Sequence, residues 1–472
     1  MTYVVTTDYT INKIAAPNLP VAPSQYEQRY QDQYSNVLRL YFNRIDDFIA
    51  RLMANSSSIP VTPGEPFPIT FPANSLDAFG RLQVAEPYTI FDSQNRYASD
   101  NQFDTSTATG GTATYNSNQA CVSMAVTTAS GSSVVRQSYR SMPYQPGKGL
   151  EVMMTFVMNA GKTGLRQRVG YFNTSNGVFL QYDGTTLSFV LRSNSIPTPG
   201  TPSDVRTVNQ ADWNGDKLDG TGASGITLDI TKTQILYFDF EWLGVGQVRC
   251  GFFQDGEFII CHTFDNENVQ TAVYMTTAIL PIRYEITNTS ATASTSTMQQ
   301  ICSTVISNGG YQQASALHVA RRTTAFANID TAANFYPIVS IRLASTALGA
   351  IVLPAQIQFQ PTTLQNYEVA LIKNPTLTGA SWSAMGDDAN VEYDVTATAI
   401  GAAGTIVQQA YIANTGGGGQ AATLSPAGYN WDLQIGASLT SVSDIYTLGV
   451  RTISGATKGD GVGSISFYDL TQ

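Results

Sequence analysis

The segment Tyr237-Phe-Asp-Phe-Glu-Trp242 brings together the residue types in this chain that are best suited to chemistry. Side chains on an extended strand point alternately to opposite faces. Tyr237, Asp239 and Glu241 therefore share one face, and Phe238, Phe240 and Trp242 share the other. Two carboxylates beside an aromatic ring match the D-x-E element of sandwich-fold glycan hydrolases, where one carboxylate attacks and the other donates a proton. The same three residues suit a sugar-binding face. More simply, they suit a solvated outer face with no chemistry at all, and a motif this short makes that the expected outcome.

A second candidate is the loop Asp212-Trp-Asn-Gly-Asp-Lys-Leu-Asp219. Asp212, Asn214, Asp216 and Asp219 offer oxygen ligands at its positions 1, 3, 5 and 8, and hard cations such as Ca²⁺ take several carboxylates from one tight loop. An Asp/Asn-rich turn explains the same residues without a metal. Gly161-Lys162-Thr163 resembles the end of a phosphate loop, but Phe156 stands where the pattern needs its first glycine. Cys261 and His262 are adjacent, so on a strand they point apart and form no dyad. His318 falls on a possible short helix around Gln312–Arg322 and is expected to be structural. No serine is flanked as G-x-S-x-G. With 2 His and 4 Cys in 472 residues and no CxxC pair, the chain lacks the usual general bases and zinc ligands. The expectation is a protein that is not an enzyme and needs no cofactor.

The elements that position these residues are mostly strands. Only 13% of residues are charged, against roughly 25% in an ordinary domain, while the hydrophobic share is 43% with 24 Tyr and 21 Phe. That excludes a disordered polyelectrolyte and long solvent-paved helices. A net charge of −10 argues against nucleic acid. No run approaches the roughly 20 apolar residues of a membrane span, and Met1–Thr10 lacks the flank of a secretory leader. From Leu76 onward, short Val/Ile/Thr/Tyr/Phe runs are punctuated by Gly, Asn, Asp and Pro, as in sandwiches and barrels.

The expected hairpin Gln247–Phe264 turns at Asp255-Gly256, a type I′ signal. A two-residue loop there sets Phe253 opposite Phe258 and Cys250 opposite Cys261. The cysteines fall on a hydrogen-bonded pair, where Cα atoms lie further apart, so two reduced thiols are expected in place of a bridge.

The exception to the β pattern is Gln25–Met53. Leu38, Phe42, Ile45, Ile49 and Leu52 recur at spacings of 4, 3, 4 and 3, with Val37, Tyr41 and Phe48 widening the stripe. Such a helix buries its face against the chain's own body, against copies of itself, or in a larger assembly. A linker with five prolines, Asn55–Ser75, separates it from the rest. The expected organisation is an arm and docking helix over 1–54 and a Pro/Ser-rich linker over 55–85. Beyond them lie a jelly-roll, lectin-like β-sandwich over 86–300, a connecting segment over 301–335 and a second antiparallel sandwich over 336–472.

The run Gln28-Arg-Tyr-Gln-Asp-Gln-Tyr-Ser-Asn-Val-Leu-Arg-Leu-Tyr-Phe-Asn-Arg-Ile-Asp46 resembles an N-terminal helix of structural proteins from marine and freshwater tailed phages, cyanophages among them. Ala78-Phe-Gly-Arg-Leu-Gln-Val-Ala-Glu-Pro-Tyr-Thr-Ile-Phe-Asp-Ser-Gln-Asn-Arg-Tyr97 is similar to the opening of the body domain in uncharacterised phage virion proteins. Leu165–Phe172, Asp239–Gly246 and Gly463–Asp469 continue the likeness. The resemblance implies membership in a virion, and no catalytic motif comes with it. The layout agrees, since a helix that needs a partner, a linker and charge-poor β domains make an anchored appendage. The expected protein is an oligomeric tail-fibre or host-attachment component, trimeric by preference, made in the host cytoplasm and built into the virion beside other virion proteins. It would reach a host-surface glycan without touching nucleic acid or entering a membrane. A head decoration or cement protein and a glycan-cleaving tailspike are the alternatives.

Overall fold

The computed structural model describes residues 87–471 apart from 313–314, 316, 331–334, 387–388, 414–421, 425–430 and 454–457, together with seven positions between 35 and 45. The chain divides into two compact units, Met1–Phe71 and Pro72–Gln472. In the first, Ser35, Asn36, Leu38, Arg39, Phe42, Asn43 and Ile45 have helical backbone. The rest of the expected docking stripe (Val37, Tyr41, Phe48, Ile49 and Leu52) lies outside the described residues, as do the arm and the linker. None of the described helical segments is long and apolar enough to cross a membrane.

The second unit is built from antiparallel sheets. In the larger sandwich, one sheet runs in the order Glu257–Phe264, Val248–Gln254, Gln234–Phe240, Gly149–Val157, Ser296–Asn308, Cys121–Val126, Thr112–Asn116, and Pro87–Gln94 also pairs with Ser296–Asn308. The facing sheet runs Ser203–Asn209, Thr186–Ser193, Gly177–Asp183, Leu165–Phe172, Ile282–Asn288, Ser133–Ser138, Phe103–Ala108. Alternate residues of both sheets fill one core, with Phe238, Phe240, Val152 and Met154 from the first and Phe189, Leu191, Val169 and Tyr171 from the second. Period-two patterning puts these side chains on one side, and their burial holds the layers together. The smaller sandwich repeats this with a four-stranded and a six-stranded sheet around Ile341, Leu371, Leu448 and Phe467.

The expected connecting segment over 301–335 is mostly sheet. Ser296–Asn308 belongs to the larger sandwich and Leu317–Ile329 to the smaller, leaving 309–316 between them. The described part of the expected helix around Gln312–Arg322 is strand from Leu317 onward, because Leu317, His318 and Val319 pair with Tyr468, Phe467 and Ser466. His318 stacks its ring on Phe467 at 5.6 Å, a packing role. Here the β-branched Val319, Thr323 and Thr324 favour the pleated surface of a sheet over a helical turn.

The Asp255-Gly256 turn forms as expected, with φ of +52° and +86° at its two residues. Phe253 pairs with Phe258 and Gln254 with Glu257. Further out the register slips, so that Gly251 faces Ile260 and Cys250 faces His262 in place of Cys261. Gly251 explains the slip, since a Cβ there would meet the Ile259 carbonyl at 2.0 Å. Only a glycine admits that approach, and a glycine inside a strand marks a bulge. Cys250 and Cys261 are free thiols in the core, and burial pushes both up in pKa.

The two sandwiches meet through Trp431. Its ring packs with Ile351 and Leu353 of the smaller sandwich and with Tyr88 and Ile279 of the larger. Its Nε1 donates to the Tyr88 hydroxyl at 2.9 Å, and the Arg140 guanidinium donates to its carbonyl oxygen. Nearby, Gln434 Nε2 donates to the Ser141 carbonyl at 2.8 Å and the Leu439 amide to Asp104 Oδ2 at 2.7 Å. Truncating a buried Trp costs about 3–5 kcal/mol. Trp431→Ala is therefore expected to lower stability by about that amount and to split one calorimetric unfolding transition into two. A single transition at the wild-type midpoint would contradict the joint described here.

Candidate functional site

Gln234–Phe240 is an interior strand of its sheet, and this decides the fate of the D-x-E pair. Phe238 and Phe240 enter the core as expected, but the opposite face is not solvated. Asp239 and Glu241 are fully buried and Tyr237 is 6% exposed. The outer face is filled by its own large side chains. Phe258 stacks on Tyr237 at 4.2 Å between centroids, while Glu151 and Arg249 stand opposite Asp239 on the two neighbouring strands.

The result is a cross-strand row of Glu151, Asp239 and Arg249. Arg249 forms an ion pair with Asp239 Oδ2, Tyr237 donates its hydroxyl to Glu151 Oε1 at 3.3 Å, and Asn308 donates to the same oxygen at 2.8 Å. Burial, followed by the charges of Asp239 and Glu151, pushes the Tyr237 phenol far up, so it keeps the proton that it donates to Glu151. Glycoside cleavage needs two carboxyls that flank a substrate bond. Asp239 is held by a guanidinium, and neither Asp239 nor Glu241 meets solvent, so the row is closed to a sugar.

The Asp/Asn loop also has another task. Asp212 is exposed at the end of a short 3-10 turn, Gln210–Asp212. Asn214 Oδ1 accepts from the Thr263 amide at 2.8 Å, and its Nδ2 donates to the Thr263 carbonyl at 2.9 Å, so its amide imitates a paired strand residue at the sheet edge. Asp216 accepts from the amides of Leu218 and Ser224, and Asp219 from the amide and hydroxyl of Thr221. Among the described residues no group of three acidic, His or Cys side chains converges as a metal site. Lys162, at the failed phosphate-loop match, donates to Ser294 Oγ at 2.9 Å.

Next to that loop, His262 is 7% exposed. Its Nδ1 accepts from the Asn214 amide at 3.4 Å, and its ring packs edge-on to Phe264. Burial, reinforced by the Arg206 charge, lowers its pKa to about 4. It is a neutral structural imidazole at pH 7.

Further along the same outer face lies an open groove of about 720 Å³. Ile235 and Phe253 line it two strand positions beyond Tyr237 and Gly251. One wall is a second bulge, where the register shifts between Gln300 and Ser303. The Thr155 hydroxyl fills the gap, accepting from the Cys302 amide at 2.8 Å and donating to its carbonyl at 3.1 Å. Phe253 was visible in the sequence only as a hairpin residue, because the groove depends on a strand some fifty residues away.

No protein-family model matches this chain, and no curated protein matches it either. Among solved structures, it is similar to the carbohydrate recognition domain of Emp47p, with 13% identity over 47% of this chain and 95% of that one and a TM-score of 0.29. A structure titled for endo-acting O-glycanases of the human gut microbiota has 10% identity over 46% and 99% and a TM-score of 0.32. A protein of unknown function from Shewanella oneidensis MR-1 has 10% identity over 54% and 100% and a TM-score of 0.32.

Removing one partner of a buried ion pair strands the other charge, at a cost of about 3–5 kcal/mol. Arg249→Met is expected to lose about that much in urea unfolding at pH 7, and a loss below 1 kcal/mol would show that Asp239 does not depend on Arg249. The second expectation concerns acid. Because the folded pKa of His262 lies below the unfolded value of about 6.5, the unfolded chain takes up the proton first as pH falls. Stability is thus fully present above pH 6.5 and drains by up to about 3 kcal/mol toward pH 4. His262→Gln should remove that part of the slope in a pH series of denaturation midpoints; parallel wild-type and variant curves would exclude it.

Proposed function

We propose that this chain is a non-enzymatic structural protein of a tailed-phage virion, an oligomeric tail-fibre or host-attachment component whose N-terminal helix docks it. In this proposal the larger sandwich is a lectin-like jelly roll that faces the host. The observation that carries the proposal is how charge and apolar surface are distributed. Buried carboxylates such as Asp239, Glu285 and Glu368 are held in internal ion pairs, while two edge strands present apolar side chains outward.

Leu317–Ile329, a 13-residue edge strand, leaves Leu317 50% exposed and Val319 44% exposed. Thr405–Ile412 is the edge of the six-stranded sheet and exposes Ile406 and Tyr411. Exposed apolar side chains on an open sheet edge are a liability in a monomer, and permanent contacts between copies would cover them. The closed Asp239–Glu241 row weighs against the glycan-cleaving alternative, since those carboxyls have no access to substrate.

Sedimentation of the full-length chain tests this. A species of three chains that persists on dilution to nanomolar concentration is expected, with antibody against the body labelling the tail of intact particles. A stable monomer, or particles that carry no label, would overturn the proposal.

A further inference from the structure

We propose that the groove between Phe253 and the Ile301–Cys302 bulge is a binding site for a neutral saccharide chain. The inference deepens the host-attachment proposal and rests on it for the source of the saccharide. Its floor is apolar, made by Ile235, Phe253 and Ile301. Phe253 is half-buried and braced by Phe258 at 4.9 Å in T-shaped geometry. A held aromatic ring beside a flat apolar strip suits the C–H face of a pyranose, as aromatic side chains do in ligand sites generally.

The rim is polar and oriented before any ligand arrives. Gln254 Nε2 donates to Gln234 Oε1 at 3.1 Å, and Gln234 Nε2 donates to the Asp229 carbonyl at 2.7 Å. This relay fixes the Gln254 amide at the rim of the groove. Asp229 Oδ1 is held by the Thr231 amide at 3.0 Å and hydroxyl at 2.6 Å. The Thr231 hydroxyl and amide bonds also lower the Asp229 pKa, so the group is a carboxylate at the groove's rim, able to accept from sugar hydroxyls. Lys232 is exposed beside it and supplies donors. Orienting these groups in the free protein reduces the ordering cost of binding. With Asp229 and Asp255 against Lys232, the lining carries no excess positive charge, which disfavours anionic saccharides. The volume falls within the range of about 300–1,000 Å³ typical of ligand sites.

The test uses the full-length chain against printed neutral oligosaccharides (glucans, mannans, galactans and xylans) and heparin as the anionic control. Saturation-transfer NMR and titration follow on the best binder. A neutral binder is expected, weakened at least tenfold by Phe253→Leu and by Gln254→Leu, both of which should stay folded at the assay temperature with the sedimenting mass unchanged. Asp229→Asn, which keeps the Thr231 bonds possible, should weaken it threefold or more. Binding unchanged in all three variants, binding of heparin alone, or no binder at millimolar concentration would overturn the groove proposal. Each of those results leaves the sedimentation and labelling outcomes intact, so the two proposals fail separately.

Discussion

The body of this protein depends on burying guanidinium groups beside carboxylates on sheet faces that are covered. Arg249 with Asp239 is one case, and Glu285 is a second. Burial drives the Glu285 pKa up, yet Arg283, Arg168 and Arg166 outweigh it and hold the carboxylate ionised. Arg168 feels the same burial and falls to about 10, still a cation at pH 7. Such a group is planar, hard to deprotonate and able to lie on an aromatic ring, as Arg168 and Arg192 do over Phe179. An isolated charge in these positions would cost several kcal/mol, so each must come with its partner. The sheets therefore stay in register partly because the pairs allow no slip, since a one-residue shift would move every charge to the core face.

The two sandwiches behave as one compact unit because side-chain donors of the larger reach backbone carbonyls of the smaller. Arg140 makes such a bond to Trp431, and Gln434 makes the reverse one to Ser141. Contacts of this kind fix orientation, while the apolar cluster around Trp431 supplies most of the favourable burial. A flexible hinge would need the opposite arrangement, with few crossing bonds and a polar gap.

Much of this was legible in the sequence where the cause is local. The Asp255-Gly256 turn, the Phe253–Phe258 pair and the inward Phe238 and Phe240 follow from turn chemistry and alternation. The slip at Cys250 has a local mark in Gly251, since a glycine inside a strand admits a bulge that simple two-residue-loop counting does not include. The strand at His318 is hard to read from sequence, because Leu317 and Val319 alternate with period two over only a short run beside the helix-forming Ala320, Arg321 and Arg322. The burial of Asp239 could not be read at all. Alternation says which residues share a face, and only the tertiary neighbours Glu151 and Arg249 decide whether that face is wet. The groove needed the same long-range information, because its wall comes from a bulge at Ile301–Cys302.

The location of the charged groups sets how the protein responds to ionic strength. Mobile salt screens exposed charges within roughly 8 Å at physiological strength and within about 3 Å at 1 M. Buried pairs such as Arg249–Asp239 lie beyond the reach of that screening, whereas exposed groups such as Asp212 and Lys232 lie within it. Added salt therefore acts on the exposed charges of the body and leaves the pairs buried between its strands as they are.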